Sequence, residues 1–277
     1  MRKKIDFSFL PTYIDKDNYC NIYVELALQK DFTDSYELLQ AIYNIGRWYA
    51  TRNSLKKYFN IGSTTLKRRL DILEKCCLVE YCETNTTNSY VKLTNAGASM
   101  VVKKKIHWNS SDSDIPALLE KSNMLFNLAS NDICNIDFIT KSNKRDNIMK
   151  SLFGRSMIKE YVSIDTLEQN HIYMVNADYS EVTLALQYVN TEEYFKDAVK
   201  AYDFVSKYKD LNEIKINILL LTNEEIEAKN TLKDIKEDDF KKSERKELLS
   251  YLLSKPIGIP YENFLNKLYN STTIITY

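Results

Sequence analysis

Ser63, Thr64 and Thr65 carry hydroxyls just ahead of three consecutive cations, Lys67, Arg68 and Arg69, in the stretch SLKKYFNIGSTTLKRRLDILEKCCLVEY. Arginine offers a planar fork that matches the acceptors on guanine, and hydroxyls pair with either kind of base edge. Lysine neutralises phosphate without reading sequence. The chemistry this spacing suits is therefore recognition of a nucleic acid duplex. Thr64, Thr65 and Arg68 are candidates for base edges, with Ser63 as the cap of their helix. Lys56, Lys57, Lys67 and Arg69 are candidates for phosphates. The plain alternative is a solvated helix face.

Other chemistries find less material. Cys20, Cys76, Cys77, Cys82 and Cys134 form no C-x-x-C pair and lack histidine at ligand spacing, which argues against a zinc site or a disulfide framework. His107 and His171 are the only histidines, too few for a histidine-based metal motif, and five scattered glycines form no phosphate-cradling loop. No cofactor or metal is expected. Asp178, with Glu181 or Glu192 as a displaced partner, keeps open an enzyme reading, a metal-dependent nuclease or nickase with a degenerate site.

The elements that must position the cations follow from apolar periodicity. A helix is expected from Thr33 to about Tyr49, with Tyr36, Leu39, Ile42, Tyr43 and Ile45 on its inner face. A second helix follows Thr51 with Leu55, Tyr58 and Phe59 inward. The turn NIG at 60–62 is expected to use Gly62 for its unusual backbone angles. Ser63 then caps a third helix whose Leu66, Leu70 and Leu73 recur at i, i+4 and i+7. At 100° per residue, Thr64 and Arg68 stand nearly opposite those leucines. LVEY and SYVKLT read as two strands joined by a polar tip carrying Asn85 and Thr86, with Lys92 beyond it, and NAGASMV begins another helix.

This order, helix, helix, turn, helix, hairpin, resembles the winged helix-turn-helix superfamily over Thr33 to Lys105. The resemblance implies that the third helix enters a DNA major groove and that Asn85, Thr86 and Lys92 belong to a wing near the backbone. Members of that family usually carry glycine where this chain has Cys77, at a helix end that often needs a left-handed residue. A Cβ there costs about 1 kcal/mol. Either the turn is built differently or the strain is tolerated. The later run VVKKKIH could touch flanking phosphates or simply end a helix favourably.

Charge is divided along the chain. Residues 1–107 hold 17 basic and 11 acidic side chains, net +6, and the remainder is net −6 within a total of zero. Such a split suggests one module that meets a polyanion and one that does not. The 277 residues are long enough for two domains. The polar SDSDIP segment places a boundary at 108/109, giving a domain at 1–108 and another at 109–277. No apolar run approaches the ~20 residues of a membrane span, so a cytoplasmic protein with no membrane partner is expected.

In the second half, HIYMVNA and EVTLALQYV read as paired strands, and Asn190 with Glu193 forms a capping box for the helix after them. IKINILLLT reads as a buried strand, so the second domain is expected to be α/β. The whole chain resembles the replication-relaxation family of plasmid and mobile-element proteins. That resemblance rests on element order and on NAD at 176–178, AVKAYDFVSKY and ILLLTNEE, and it implies a degenerate restriction-endonuclease-like second domain. The metal-holding position there reads Gln187, Tyr188, Val189, without the lysine such nucleases use.

The expectation is an α+β winged-helix domain followed by an α/β domain. The protein is expected to bind double-stranded DNA sequence-specifically as a homodimer and without enzymatic activity. It would belong to a bacterial plasmid, phage or integrative element and act in transcription regulation, replication or maintenance. The second domain would self-associate or recruit a protein partner. A winged helix used purely as a protein-interaction module is the third alternative.

Overall fold

A computed structural model of the chain describes residues 32–83, 89–102, 106, 115–131, 134, 171–177, 180–207 and 210–277. It is a mixed α and β protein of two compact units that divide at Asn131/Asp132. The boundary therefore lies beyond the expected 108/109. A helix that the sequence assigns to the second domain, Ile115–Ala129, packs within the first unit on the strand Tyr49–Thr51 and the helix Arg52–Phe59. With the division moved, residues 1–131 hold 18 basic and 14 acidic side chains, so the charge asymmetry is smaller but keeps its sign.

The first described element of the first unit is α1 (Phe32–Asn44), which buries Leu38, Leu39, Ala41 and Ile42. It ends earlier than its apolar rhythm suggests. Arg47 and Trp48 take left-handed backbone angles (φ 52° and 82°), and a Cβ on Gly46 would stand 2.2 Å from the Tyr49 carbonyl oxygen. That tight reversal feeds β1 (Tyr49–Thr51), whose first residue lies within the expected helix. β1 pairs antiparallel with β3 (Ser89–Leu93), which pairs in turn with β2 (Val79–Glu83), in the order β1-β3-β2.

Between β1 and β2 lie α2 (Arg52–Phe59) and α3 (Ser63–Lys75). Thr51 caps α2 by accepting from the Ser54 amide at 3.2 Å. Leu55 is fully buried, while Tyr58 and Phe59 are half-buried; Tyr58 meets Phe126 edge-on at 5.6 Å. Asn60, not Gly62, supplies the left-handed residue of the turn (φ 49°, ψ 48°), and Ile61 N–H closes back on the Lys56 carbonyl at 3.2 Å. Gly62 is extended at φ −72° and forms the N-cap of α3, so Ser63 is its first helical residue.

The far end of α3 closes as a full left-handed cap. Leu78 N–H donates to the Leu73 carbonyl (2.9 Å) and Cys77 N–H to the Glu74 carbonyl (2.8 Å), with Cys77 at φ 52°. The strain expected at a non-glycine residue is thus accepted, and Leu73 and Leu78 on either side of the turn are both fully buried. Thr94 Oγ1 donates to the Cys77 carbonyl at 2.7 Å, tying this turn to α4 (Asn95–Val102). Gly97 lets α4 pass the Leu78 carbonyl, which a Cβ would meet at 2.1 Å. The last helix of the unit is α5 (Ile115–Ala129).

Among the described residues, the second unit holds a four-stranded sheet in the order β4-β5-β6-β7. β4 (Ile172–Ala177) and β5 (Glu181–Gln187) form an antiparallel hairpin. β6 (Lys215–Thr222) and β7 (Thr272–Thr276) extend the sheet in parallel. α6 (Thr191–Ser206) makes the crossover to β6, and its cap residue Asn190 accepts from the Glu193 amide at 2.9 Å, as its position predicts. α7 (Glu225–Glu237), α8 (Lys242–Leu253) and α9 (Tyr261–Ser271) connect β6 to β7. Alternate sheet residues such as Met174, Leu184 and Ile218 form one core with Phe195, Tyr202 and Phe264. The intervening residues Tyr173, Ala185 and Leu219 are also buried, which is why these strands read as nearly unbroken apolar runs. Among the described residues, no helix is long and apolar enough to cross a membrane.

Candidate nucleic-acid interface

α3 divides its residues cleanly by helical angle. Leu66, Leu70 and Leu73 are at most 2 % exposed and anchor one side. Ser63, Thr64, Lys67 and Arg68 are exposed, and Thr65 is half-buried beside them. At 100° per residue, Thr64, Arg68, Asp71 and Lys75 fall on one stripe, with Lys67 at its margin. Ser63 and Thr64 also lie in the first turn, where free amides and the positive end of the helix dipole favour an anion.

Two of the expected phosphate contacts are engaged elsewhere. Arg69 lies about 140° round from Thr64, toward the leucine side. There its guanidinium forms an ion pair with Asp34 of α1, and only 15 % of its side chain remains exposed. Lys57 donates from Nζ to Asn127 Oδ1 of α5 at 2.6 Å. Lys56 is half-buried on α2. Lys92 sits in the middle strand of the sheet opposite Tyr49 and Glu80, with Nζ 6.0 Å above the Tyr49 ring, which separates it from a wing tip. Asn85 and Thr86 lie outside the described residues, as do Lys103, Lys104, Lys105 and His107.

Sequence reasoning missed the acidic member of the stripe. Asp71 accepts from the Tyr81 hydroxyl of β2 at 3.3 Å, and the Arg52 guanidinium stands 5.1 Å above the Tyr81 ring. Burial, reinforced by the Asp71 carboxylate and opposed by Arg52, pushes the Tyr81 phenol up to about 12. Tyr81 therefore stays a neutral donor and holds the Asp71 carboxylate in place beside Arg68. An aspartate carboxylate can accept from a cytosine amino group and disfavours phosphate. The signal is its position, i+7 from Thr64, which places it on the same stripe.

The support beneath α3 was equally hidden. Asn123 Oδ1 on α5 accepts from Ser54 Oγ (2.5 Å) and Thr51 Oγ1 (2.9 Å), and Ser122 Oγ donates to the Tyr49 carbonyl (2.6 Å). These bonds span about seventy residues of sequence and fix the start of α2, on which α3 rests.

Of the described residues considered for nuclease chemistry, Glu181 and Gln187 stand at opposite ends of β5. Asp178 lies outside the described residues. The hairpin register sets Ala177 opposite Val182 and Ile172 opposite Leu186, so Gln187 is at the other end, roughly 17 Å away at 3.3 Å per residue. Glu181 accepts from Asn217 Nδ2 and pairs with Lys215 Nζ at 3.4 Å, and Glu192 forms an ion pair with Lys196. Among the described residues, no group of three or more His, Cys, Asp or Glu side chains is arranged to hold a metal ion. No protein-family model, curated protein or solved structure matches the chain.

Proposed function

We propose that the first unit is a winged helix-turn-helix that binds double-stranded DNA sequence-specifically, with α3 in the major groove. The observation that carries this reading is the exposed stripe of Thr64, Lys67 and Arg68 backed by three fully packed leucines. A helix so anchored can be pressed into a groove about 12 Å wide without being deformed. Arg68 reads a base edge, Thr64 and Thr65 contact neighbouring edges, and Lys67 and the α3 amides hold phosphate.

The second unit, an α/β body in a degenerate restriction-endonuclease-like arrangement, serves association and does not cut DNA. Two copies bind together, because one recognition helix covers only a few base pairs and paired half-sites multiply affinity. The protein acts on a bacterial plasmid, phage or integrative element, in transcription regulation, replication or maintenance. Selection of bound fragments from genomic and plasmid DNA, followed by gel shifts on the enriched sequence, tests the proposal. Recovery of one enriched motif is the expected result. Absence of DNA affinity at low salt, with retained binding of a protein, would instead assign the fold to protein interaction.

A further inference from the structure

The two ends of the second unit's sheet differ. Among the described strands, β4 forms one end, carries a register shift between Met174 and Asn176, and is buried throughout Ile172 to Val175. β7 forms the other end, in unbroken register with β6, with Thr273 and Thr276 exposed and Ile274 and Ile275 half-buried. Tyr277 N–H donates to the Thr222 carbonyl of β6 at 3.2 Å. Backbone groups alternate in direction along a strand, so Thr273 and Ile275 address β6 while the amide and carbonyl of Ile274 point away from it. Edges of this kind are ordinarily guarded by lysine, proline, a bulge or a cover. The sequence TTIIT carries no charge and no proline.

We propose that β7 pairs with β7 of a second copy of this chain, antiparallel about a two-fold axis through Ile274, joining two four-stranded sheets into one. This names the contact behind the dimer proposed above and rests on that reading for its purpose. The sequence of the strand selects its own copy as the occupant. A two-fold at Ile274 sets Thr272 opposite Thr276, Thr273 opposite Ile275 and Ile274 opposite itself, so each β-branched side chain meets another. When identical edges meet, any charge near the axis faces its own sign, and β7 has none. With β4 buried and bulged, the described sheet offers one edge, so association closes at two copies and does not propagate. Strands of five residues bury well under the ~1,000 Å² of a free-standing interface, so the pair is weak alone and is completed by two half-sites on one duplex.

Sedimentation of the full chain without DNA, over about 1 to 500 μM, tests the pairing, and the wild type is expected to move from monomer toward dimer as concentration rises. Thr273 is exposed, so Thr273→Lys and Thr273→Glu should fold and melt as the wild type does. Each alone sets like charges diagonally across the axis, within reach of long side chains, and should weaken association roughly tenfold or more. An equimolar mixture of the two variants should restore it, which only pairing of the edge with itself explains. A wild type monomeric throughout the range leaves the edge to a foreign strand and overturns the proposal. So does a Thr273→Lys chain that associates like the wild type, or a mixture that fails to recover. Gel shifts on single and paired half-sites separate this outcome from the DNA reading: Thr273→Lys should keep its half-site affinity and lose cooperativity, whereas a chain that dimerises yet binds no DNA refutes only the DNA reading.

Discussion

The guanidinium of Arg69 closes on the carboxylate of Asp34, so the last cation of the Lys67–Arg69 row is a strut between α3 and α1. The pair is partly exposed, and its contribution is about 1 kcal/mol or less. Arg69→Ala should lower the urea midpoint accordingly while leaving the slope of log affinity against log salt unchanged. Lys67→Ala should do the reverse: the same stability, and a slope smaller by about one unit.

Cys77 holds φ 52° at the end of α3 in a turn whose hydrogen bonds are all made. A left-handed residue with a Cβ costs about 1–2 kcal/mol, part of which glycine returns through its greater freedom in the unfolded chain. Cys77→Gly is therefore expected to stabilise the protein by about 0.5–1 kcal/mol in urea unfolding, and Cys77→Val to destabilise it.

Gly97 and Gly62 should respond oppositely to a side chain. At Gly97 a Cβ would lie 2.1 Å from a backbone oxygen that cannot move without opening the α3–β2 turn. Gly97→Ala should cost about 3 kcal/mol or more. At Gly62 a Cβ meets nothing within 4 Å, φ is −72°, and the N-cap lacks a side-chain acceptor. Gly62→Ser supplies that acceptor and should stabilise α3 by about 0.5 kcal/mol, read as a shift in thermal midpoint.

Tyr81 gives a pH dependence of known sign. Its folded value is raised to about 12 from the ordinary tyrosine value near 10. Its contribution to stability is therefore complete below pH 10 and is lost as pH rises through the 10–12 window. Tyr194, which is buried, and Tyr261, which is half-buried, shift the same way, so the measurement is a difference. The unfolding free energy of Tyr81→Phe should fall less steeply than that of the wild type over that window.

What the sequence disclosed was whatever depends on local period. Leu66, Leu70 and Leu73 announced the buried face of α3. Asn190 announced the start of α6. What it hid depends on contacts distant along the chain. β1 followed the apolar rhythm of α1 without a break, because Tyr49 and Ala50 are buried for a different reason, by pairing with β3. Ile115–Ala129 joins the first unit through Asn123 and Ser122, whose partners lie about seventy residues earlier. β7 is short and follows α9 directly, so no turn signal separates them. Asn60 takes the left-handed place expected of Gly62, because either residue tolerates that region and spacing alone does not choose, and Gly62 takes the cap expected of Ser63.

With α3 in the major groove as proposed, Asp71 and Arg68 are expected to divide affinity from specificity. Arg68→Ala removes an arginine fork suited to guanine and should weaken binding to the selected site by ~1 to 3 kcal/mol, with little change on unrelated DNA. Asp71→Asn removes a negative charge held toward the same groove, so unrelated DNA should be bound several-fold more tightly. The selected site should gain less, or lose, because the asparagine amide no longer restricts the contact to an amino donor. The ratio of specific to non-specific affinity therefore falls in both variants, from opposite causes: in one the numerator shrinks, in the other the denominator grows. Titrations of each variant on matched and scrambled duplexes at a fixed salt concentration measure both terms. Equal shifts on the two duplexes for Arg68→Ala would place that side chain on phosphate and remove the basis for direct readout by this helix.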